Sequence, residues 1–325
     1  MAAELPPNLG DMIQLQIKSV LEKCRGAVVH IVAVDEHGPL SGTGFFVASD
    51  GLLYTSYTVG GDSHDIVVIQ GDSKYLATRV AADARSGVAI LKVDAPSAFL
   101  PLSTQKTAVG SPVISVGFPM DLPLTPSFGI VGGFDRKYLG SYFATTHIRA
   151  NVPVQRGQGG APLLNLNGEV VGITISSLDQ GSALFALPIE AAEKVRRDCL
   201  RFGRARPGWI GIDVALAAQP AAGSTAVVHN VFPNTPSDRV GIRMGDILVQ
   251  VGATKITEPE DVIDASFFIS AEDGVEVKVM RGERMLDFEV SPEDPPMIST
   301  GVPQLGSLEN LRGGVTPGEA MGFGS

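Results

Sequence analysis

Between Ala27 and Leu187 the chain is cut into short runs rich in β-branched residues, AVVHIVAV, DIVVIQ, VAILKV, PVISVG and EVVGITI, separated by Gly, Pro, Asp and Asn. Runs of this length are too short for most helices, and their close spacing predicts a barrel or sandwich of many short strands. The composition agrees: 38 Gly and 22 Pro with only 18% charged residues suit strands joined by tight turns better than a helical bundle. At 325 residues the chain exceeds what one hydrophobic core usually serves, so more than one domain is expected.

Around this β region the pattern changes twice. Residues 11–24, DMIQLQIKSVLEKC, carry Met12, Leu15, Ile17, Val20 and Leu21 at mostly helical spacing with Gly26 beyond the last turn, which predicts a short amphipathic N-terminal helix. Pro188 opens IEAAEKVRRDCLRF, where Ile189, Ala192, Val195, Cys199 and Phe202 share a helical face, and RFGRARPG closes it as a linker. Strand-like runs then resume from WIGIDVAL to LDFEV with one helix, PEDVIDASFFI. The expected division is a 1–25 extension and helix, a 26–203 domain, a smaller 208–291 domain, and a 292–325 tail. That tail is too poor in large apolar residues to offset its ordering entropy.

The net charge of −10, with no Lys/Arg block, repels a phosphate backbone and argues against nucleic acid. No run approaches a membrane span, and the given chain opens with no basic then apolar leader, so no signal peptide is expected in it. No Cys or His pair stands at ligand spacing, so neither metal nor cofactor is expected. Cys24 and Cys199 sit in apolar helical patterns and read as two structural thiols, with a disulfide between them left open.

The stretch SGTGFFVASDGLLYTS, followed in order by DARSGVAILKVD, VGSPVISVGFPMDLPLTPSFGIVGG, GQGGAPLLNLNGEVVGITIS and ALFALPI, resembles the HtrA/DegP family of trypsin-like serine proteases. The resemblance covers most of residues 13–200. It implies a mainly β fold, a trypsin-like double β-barrel, with the catalytic groups gathered between the barrels. At the family's three catalytic positions this sequence departs from the pattern. Thr58 stands where the histidine follows Thr-Asn-x. Gly87 stands where the aspartate precedes Leu-Ala-Val-Leu-Lys. Gly159 stands where Gly-Asn-Ser-Gly-Gly-Pro-Leu has its serine. Peptide cleavage in this family needs a hydroxyl activated by an imidazole that a carboxylate orients, and none of the three remains. The backbone of Gly157, Gln158 and Gly159 retains the makings of an oxyanion-like loop, although a turn demanded by the fold is the plainer reading. Ser56, Ser86 and Ser111 are alternative hydroxyls, but His30, His37, His64, His147 and His229 match no catalytic position.

Trp209-Ile210-Gly211-Ile212 resembles the carboxylate-binding loop of PDZ domains, and NTPSDRVGIRMGDILVQVG resembles a further PDZ segment through Gly241, Gly245 and Asp246. This implies an α+β PDZ domain that captures peptides or protein C-termini by strand addition. Ile263 and Phe267 of the helix opposite are assigned to groove or core without preference. With Thr58, Gly87 and Gly159 at the three catalytic positions, the expectation is a binding protein without proteolytic activity: a scaffold, adaptor or chaperone-like pseudoprotease. It would be periplasmic or otherwise extracytoplasmic, and homo-oligomeric (a trimer by resemblance). The alternatives are an endopeptidase with a relocated site and a regulatory subunit of an active paralogue.

Overall fold

A computed structural model describes residues 9–138, 141–178 and 181–295. Helix α1 (Leu9–Cys24) precedes a seven-stranded antiparallel sheet formed by β1 (Val28–Asp35), β2 (Gly38–Phe46), β3 (Leu52–Ser56), β4 (His64–Gln70), β5 (Ser73–Leu76), β6 (Thr78–Asp83) and β7 (Val88–Lys92). One-turn helix α2 (Tyr57–Gly60) sits between β3 and β4, and the strand order is β5-β4-β1-β2-β3-β7-β6. Six strands then close a barrel: β8 (Pro112–Gly117), β9 (Thr125–Tyr138), β10 (Ser141–Ala150), β11 (Pro162–Leu164), β12 (Val170–Leu178) and β13 (Ala183–Pro188). Helix α3 (Ile189–Phe202) leads to a third sheet of β14 (Ile212–Ala221), β15 (Ser224–Val231), β16 (Ile247–Val251), β17 (Thr254–Lys255), β18 (Val275–Arg281) and β19 (Arg284–Val290), with helices α4 (Pro236–Val240) and α5 (Asp261–Phe268). The fold is mainly β, as the strand pattern predicts.

Strands with apolar residues on both faces need two cores, and the structure supplies them. On β7, Leu91 joins Ile31, Phe46, Leu53 and Val68 inside the first sheet, while Val88 and Ile90 turn to a second cluster shared with the closed barrel. That shared cluster gathers Phe45 and Tyr54 from the first sheet, Ile114, Leu164 and Ile173 from the barrel, Val20 and Cys24 from α1, and Val195 from α3. The barrel interior holds a separate set, including Val113, Ile148, Leu163 and Leu184. This double burial is why the strands read as continuous apolar runs and not as an alternation.

Several details differ from the sequence expectations. On α1 only Val20, Cys24 and, in part, Ile17 and Leu21 reach the core, whereas Met12 and Leu15 are 55% and 61% exposed. The helix lies along the body by one edge, fastened by Gln16, whose amide donates to the Leu166 carbonyl. On α3 the buried face includes Lys194 and Asp198, which pair with each other. Asp198 also accepts from the Arg206 N–H and the Ser270 hydroxyl. A buried ammonium is tolerated only because a carboxylate so placed offsets its desolvation. Cys24 and Cys199 are free, and burial pushes the Cys24 thiol up to about 11. Of the stretch expected as a tail from 292, Pro292 is buried, the Glu293 backbone pairs with Trp209 in both directions, and Asp294 pairs with Arg206. The rest of that stretch, from 296 on, lies outside the described residues.

The third sheet is welded to the barrel through α5. Arg136 of β9 forms ion pairs with Glu258, Asp261 and Asp264. Asp264 also accepts from the Thr145 and Thr146 hydroxyls and the Thr146 N–H on β10. Phe267 is buried in the same cluster as Val20 and Phe143. Replacing Phe267 with Ala should therefore destabilise the whole molecule by about 3–5 kcal/mol. Urea denaturation followed by tryptophan and circular dichroism signals will measure it, with both signals shifting together.

Next to this weld, His147 is fully buried, stacked 4.3 Å from the Phe143 ring, with Nδ1 bonded to the Thr145 carbonyl at 2.7 Å. Burial pushes its pKa from 6.5 down to about 4, against the opposing pull of that carbonyl and of Asp264. The folded state thus holds the ring neutral while the unfolded state takes up a proton. The stability involved is fully present above pH 6.5 and is lost as the pH falls towards 4, on the order of 3 kcal/mol. Imidazole NMR across that range should show His147 unprotonated until close to pH 4.

Candidate functional site

The three positions singled out in the first half of the sequence meet at one place. Strand β3 ends at Ser56 and turns directly into α2, which carries Thr58. The Tyr57 N–H donates to the Gly87 carbonyl at 2.7 Å, so the loop ahead of β7 is tied to the start of α2. From the other side comes the turn 155–160, held by two bonds: the Thr43 N–H to the Gly159 carbonyl at 2.9 Å and the Thr43 hydroxyl to the Gly157 carbonyl at 2.8 Å. Gly159 faces Ser56 and Thr58 directly. A Cβ built on it would lie 3.2 Å from Ser56 Oγ and 3.7 Å from Thr58 Oγ1. Those two hydroxyls bond each other at 2.9 Å.

The glycines of this turn are not equivalent. Gly160 has φ +85°, and a Cβ there would meet the Thr43 carbonyl at 2.2 Å, so backbone and space both demand glycine. Gly87, at φ +78°, likewise adopts a conformation that side chains avoid. Gly159 has neither constraint: its φ lies outside the left-handed region and its side-chain position is open but for the two hydroxyls. Within the stretch Gly157, Gln158 and Gly159, the demand for glycine falls on Gly157, at φ +88° with the Phe118 carbonyl 2.3 Å from a Cβ built there, and not on Gly159.

Gln158 is 1% exposed, and its Oε1 accepts the Gln155 N–H at 2.7 Å, which stiffens the turn from within; its Nε2 is buried with no partner. Among the described residues, the N–H groups of Gly157 and Gly159, both buried, also have no acceptor. Of the other hydroxyls weighed from the sequence, Ser86 is buried and bonded to Asp83, and Ser111 donates no side-chain bond here but accepts the Ala108 N–H. His30 is bonded to Asp121, His37 and His64 pair with neighbouring carboxylates, His147 is enclosed beside the weld, and His229 is exposed on β15.

The second candidate site lies on the third sheet. Strand β14 stands at its edge, paired with β15 on one side only. The loop before it carries Trp209, Ile210 and Gly211, and Ile212 opens the strand. Trp209 has both backbone groups committed to Glu293 and its ring 5.8 Å from Phe232. Ile210 buries its side chain in the sheet's core. Among the described residues, neither the Ile210 nor the Gly211 N–H has an acceptor. Buried or half-buried N–H groups without partners are rare and mark a place where another molecule's oxygen fits.

Helix α5 divides its surface into three stripes. Asp261, Asp264, Phe267 and Phe268 face the barrel, and Val262 and Ala265 pack into the third sheet's core. The remaining stripe has Ile263, half-buried and in neither core, and Ser266, whose hydroxyl donates to the Gly208 carbonyl at 2.7 Å. Of the two positions left open between groove and core, Phe267 lies in the core shared with the barrel, while Ile263 lies in neither core. The Arg136 anchor, the burial of the Lys194–Asp198 pair and the Gln158 side-chain bond gave no signal in the sequence, because single charged or polar residues read as surface in a strand, a helix or a turn alike.

Substitution should separate the two kinds of glycine. Gly159→Ala is expected to cost less than about 1 kcal/mol, the Ser56 hydroxyl yielding a few tenths of an ångström, whereas Gly160→Ala should cost at least about 3 kcal/mol through backbone strain and collision. Thermal denaturation of the two variants checks this.

Comparison with known proteins follows the same division. Residues 42–173 match the trypsin-like peptidase domain family and residues 208–291 the PDZ domain family. The chain is 28% identical over 288 residues to a probable periplasmic serine endoprotease, DegP-like, of Pseudomonas putida, covering 82% of this chain and 60% of that protein. It is 32% identical over 236 residues to a DegP-like endoprotease of Rhizobium meliloti, covering 68% and 47%. It is 28% identical over 274 residues to the serine endoprotease DegS of Salmonella typhimurium, covering 78% and 77%. The chain thus spans about half to three-fifths of the length of the two DegP-like relatives. Among solved structures, the HtrA-type protease AlgW with tripeptide superposes with a TM-score of 0.72 at 19% identity, covering 86% of this chain and 97% of that one. The serine endoprotease from Yersinia pestis superposes at 0.63 and 23% identity, covering 90% and 100%. Among the described residues no helix is long and apolar enough to cross a membrane. With a trypsin-like fold, a PDZ fold and relatives of this one kind along most of its length, the chain belongs to the HtrA/DegP family of trypsin-like proteins with a C-terminal PDZ domain.

Proposed function

We propose that the chain is an HtrA-type pseudoprotease, a trypsin-like domain over 26–203 without proteolytic activity joined to a peptide-binding PDZ domain over 208–291, and that it works as a binding scaffold, adaptor or chaperone-like protein. The observation that carries this reading is what surrounds Gly159: the nearest side-chain atoms are two hydroxyls and a valine methyl. A hydroxyl is no general base near neutral pH, and Gly159 brings no nucleophile. Gly87, the third position, contributes a carbonyl to Tyr57 and has no carboxylate with which to orient a base.

Binding is supported on the PDZ side by the edge strand β14, the two N–H groups of Ile210 and Gly211, and the Ile263–Ser266 stripe across from them. A peptide end would place its carboxylate on the N–H pair and extend the sheet along β14. The two DegP-like relatives are named as probable periplasmic endoproteases, which supports an extracytoplasmic site of action; assembly into a homo-oligomer, or with an active paralogue, rests on the family alone.

Casein digestion and fluorophosphonate labelling of the purified chain should both be negative. A random heptapeptide pool with free C-termini should be retained, the amidated pool should not, and Ile263→Glu should weaken retention at least ten-fold without unfolding the protein. Cleavage that survives removal of host proteases sinks the reading.

A further inference from the structure

The geometry points to a second carboxylate-binding site, in the cleft at Gly159, that takes the C-terminal end of a peptide; it deepens the pseudoprotease reading and rests on it. The two N–H groups of Gly157 and Gly159 flank Gln158 in one turn, are buried, and have no acceptor among the described residues. Buried N–H groups without partners are rare enough that two in one turn call for an acceptor from outside. Beside them, Ser56 and Thr58 share a single hydrogen bond. Two hydroxyls have two protons, and the bond between them uses one, so one O–H remains to donate outward.

Three donors thus border a side-chain position that Gly159 leaves open, and the nearest atoms to that position are Ser56 Oγ, Thr58 Oγ1 and a methyl of Val59. No carboxylate is among them. A carbonyl oxygen would use the N–H groups and leave the hydroxyl idle. A carboxylate has two oxygens, one for the N–H pair and one for the hydroxyl, and the space where a serine side chain would stand receives the second. Thr58, which borders the position, is half-buried. The turn is held ready for such a ligand by the Gln158 side chain on Gln155 and by Thr43 on the Gly157 and Gly159 carbonyls. Donors fixed before the ligand arrives bind without a reorganisation cost.

The test is an amide NMR titration of the full chain with acetyl-Ala-Ala-Ala-Val bearing a free carboxylate, its carboxamide, and acetate. The Gly157 and Gly159 amides should shift saturably with the free acid, at least ten-fold more weakly with the carboxamide, and at least ten-fold more weakly with acetate. Gly159→Ala, which fills the open position without straining the backbone, should abolish those shifts and leave any shift at Gly211 unchanged. Thr58→Val should weaken them. If acid and carboxamide move Gly157 and Gly159 alike, or neither moves them, the site does not exist. Equal shifts with acetate reduce it to a general anion site and overturn the peptide assignment. Movement at Ile210 and Gly211 without movement at Gly157 and Gly159 preserves the PDZ reading and refutes this one.

Discussion

The architecture depends on one apolar cluster that belongs to no single sheet. It begins with Val20 and Cys24 of the N-terminal helix, passes between the first sheet and the closed barrel through Phe45, Tyr54, Ile114 and Ile173, takes in Val195 of α3, and ends at Phe267 on the PDZ helix. Because the two β units and the PDZ domain all bury surface in it, none can be moved without opening it. The ionic contacts lie on the perimeter of this cluster. Arg136 and the Asp264 acceptors would contribute little as exposed pairs, but here they flank a dry contact and fix its register.

Backing onto that core, the candidate cleft is held by its own set of bonds. The turn at 155–160 is held by Thr43 from β2 and by Gln158 from within, and the loop before β7 is held by Tyr57. These bonds use the backbone at Gly87 and Gly159 but no side chain at Thr58, Gly87 or Gly159. The frame of the cleft therefore does not depend on the side chains at those three positions, and its buried donors stay in place whatever stands there.

The strand-rich body was legible because it rests on a repeated local signal: β-branched runs cut by Gly and Pro give strands whatever their partners. The clustering of Thr58, Gly87 and Gly159 could be expected only through resemblance, since residues separated by 29 and 72 positions meet by tertiary folding alone. Other features depend on partners that no local pattern names. Met12 and Leu15 looked like part of a buried stripe, but α1 touches the body along one edge and leaves them in solvent. Phe267 read equally well as groove or core because helical periodicity gives a face and not the identity of what faces it. Lys194 and Asp198 lie off the apolar face read on α3, yet both are buried, with the Ser270 hydroxyl donating to Asp198.

Helix α5 is eight residues long and has almost no uncommitted surface. Six of its positions serve the barrel or the sheet beneath it, and a change at any of them would first be felt as lost stability. In descent, then, selectivity for different peptides would have had little room to drift on the helix. Variation could accumulate at Ile263 and along the free edge of β14, so that any binding preferences would diverge on one wall of the groove while the other stayed fixed by its role in holding the molecule together.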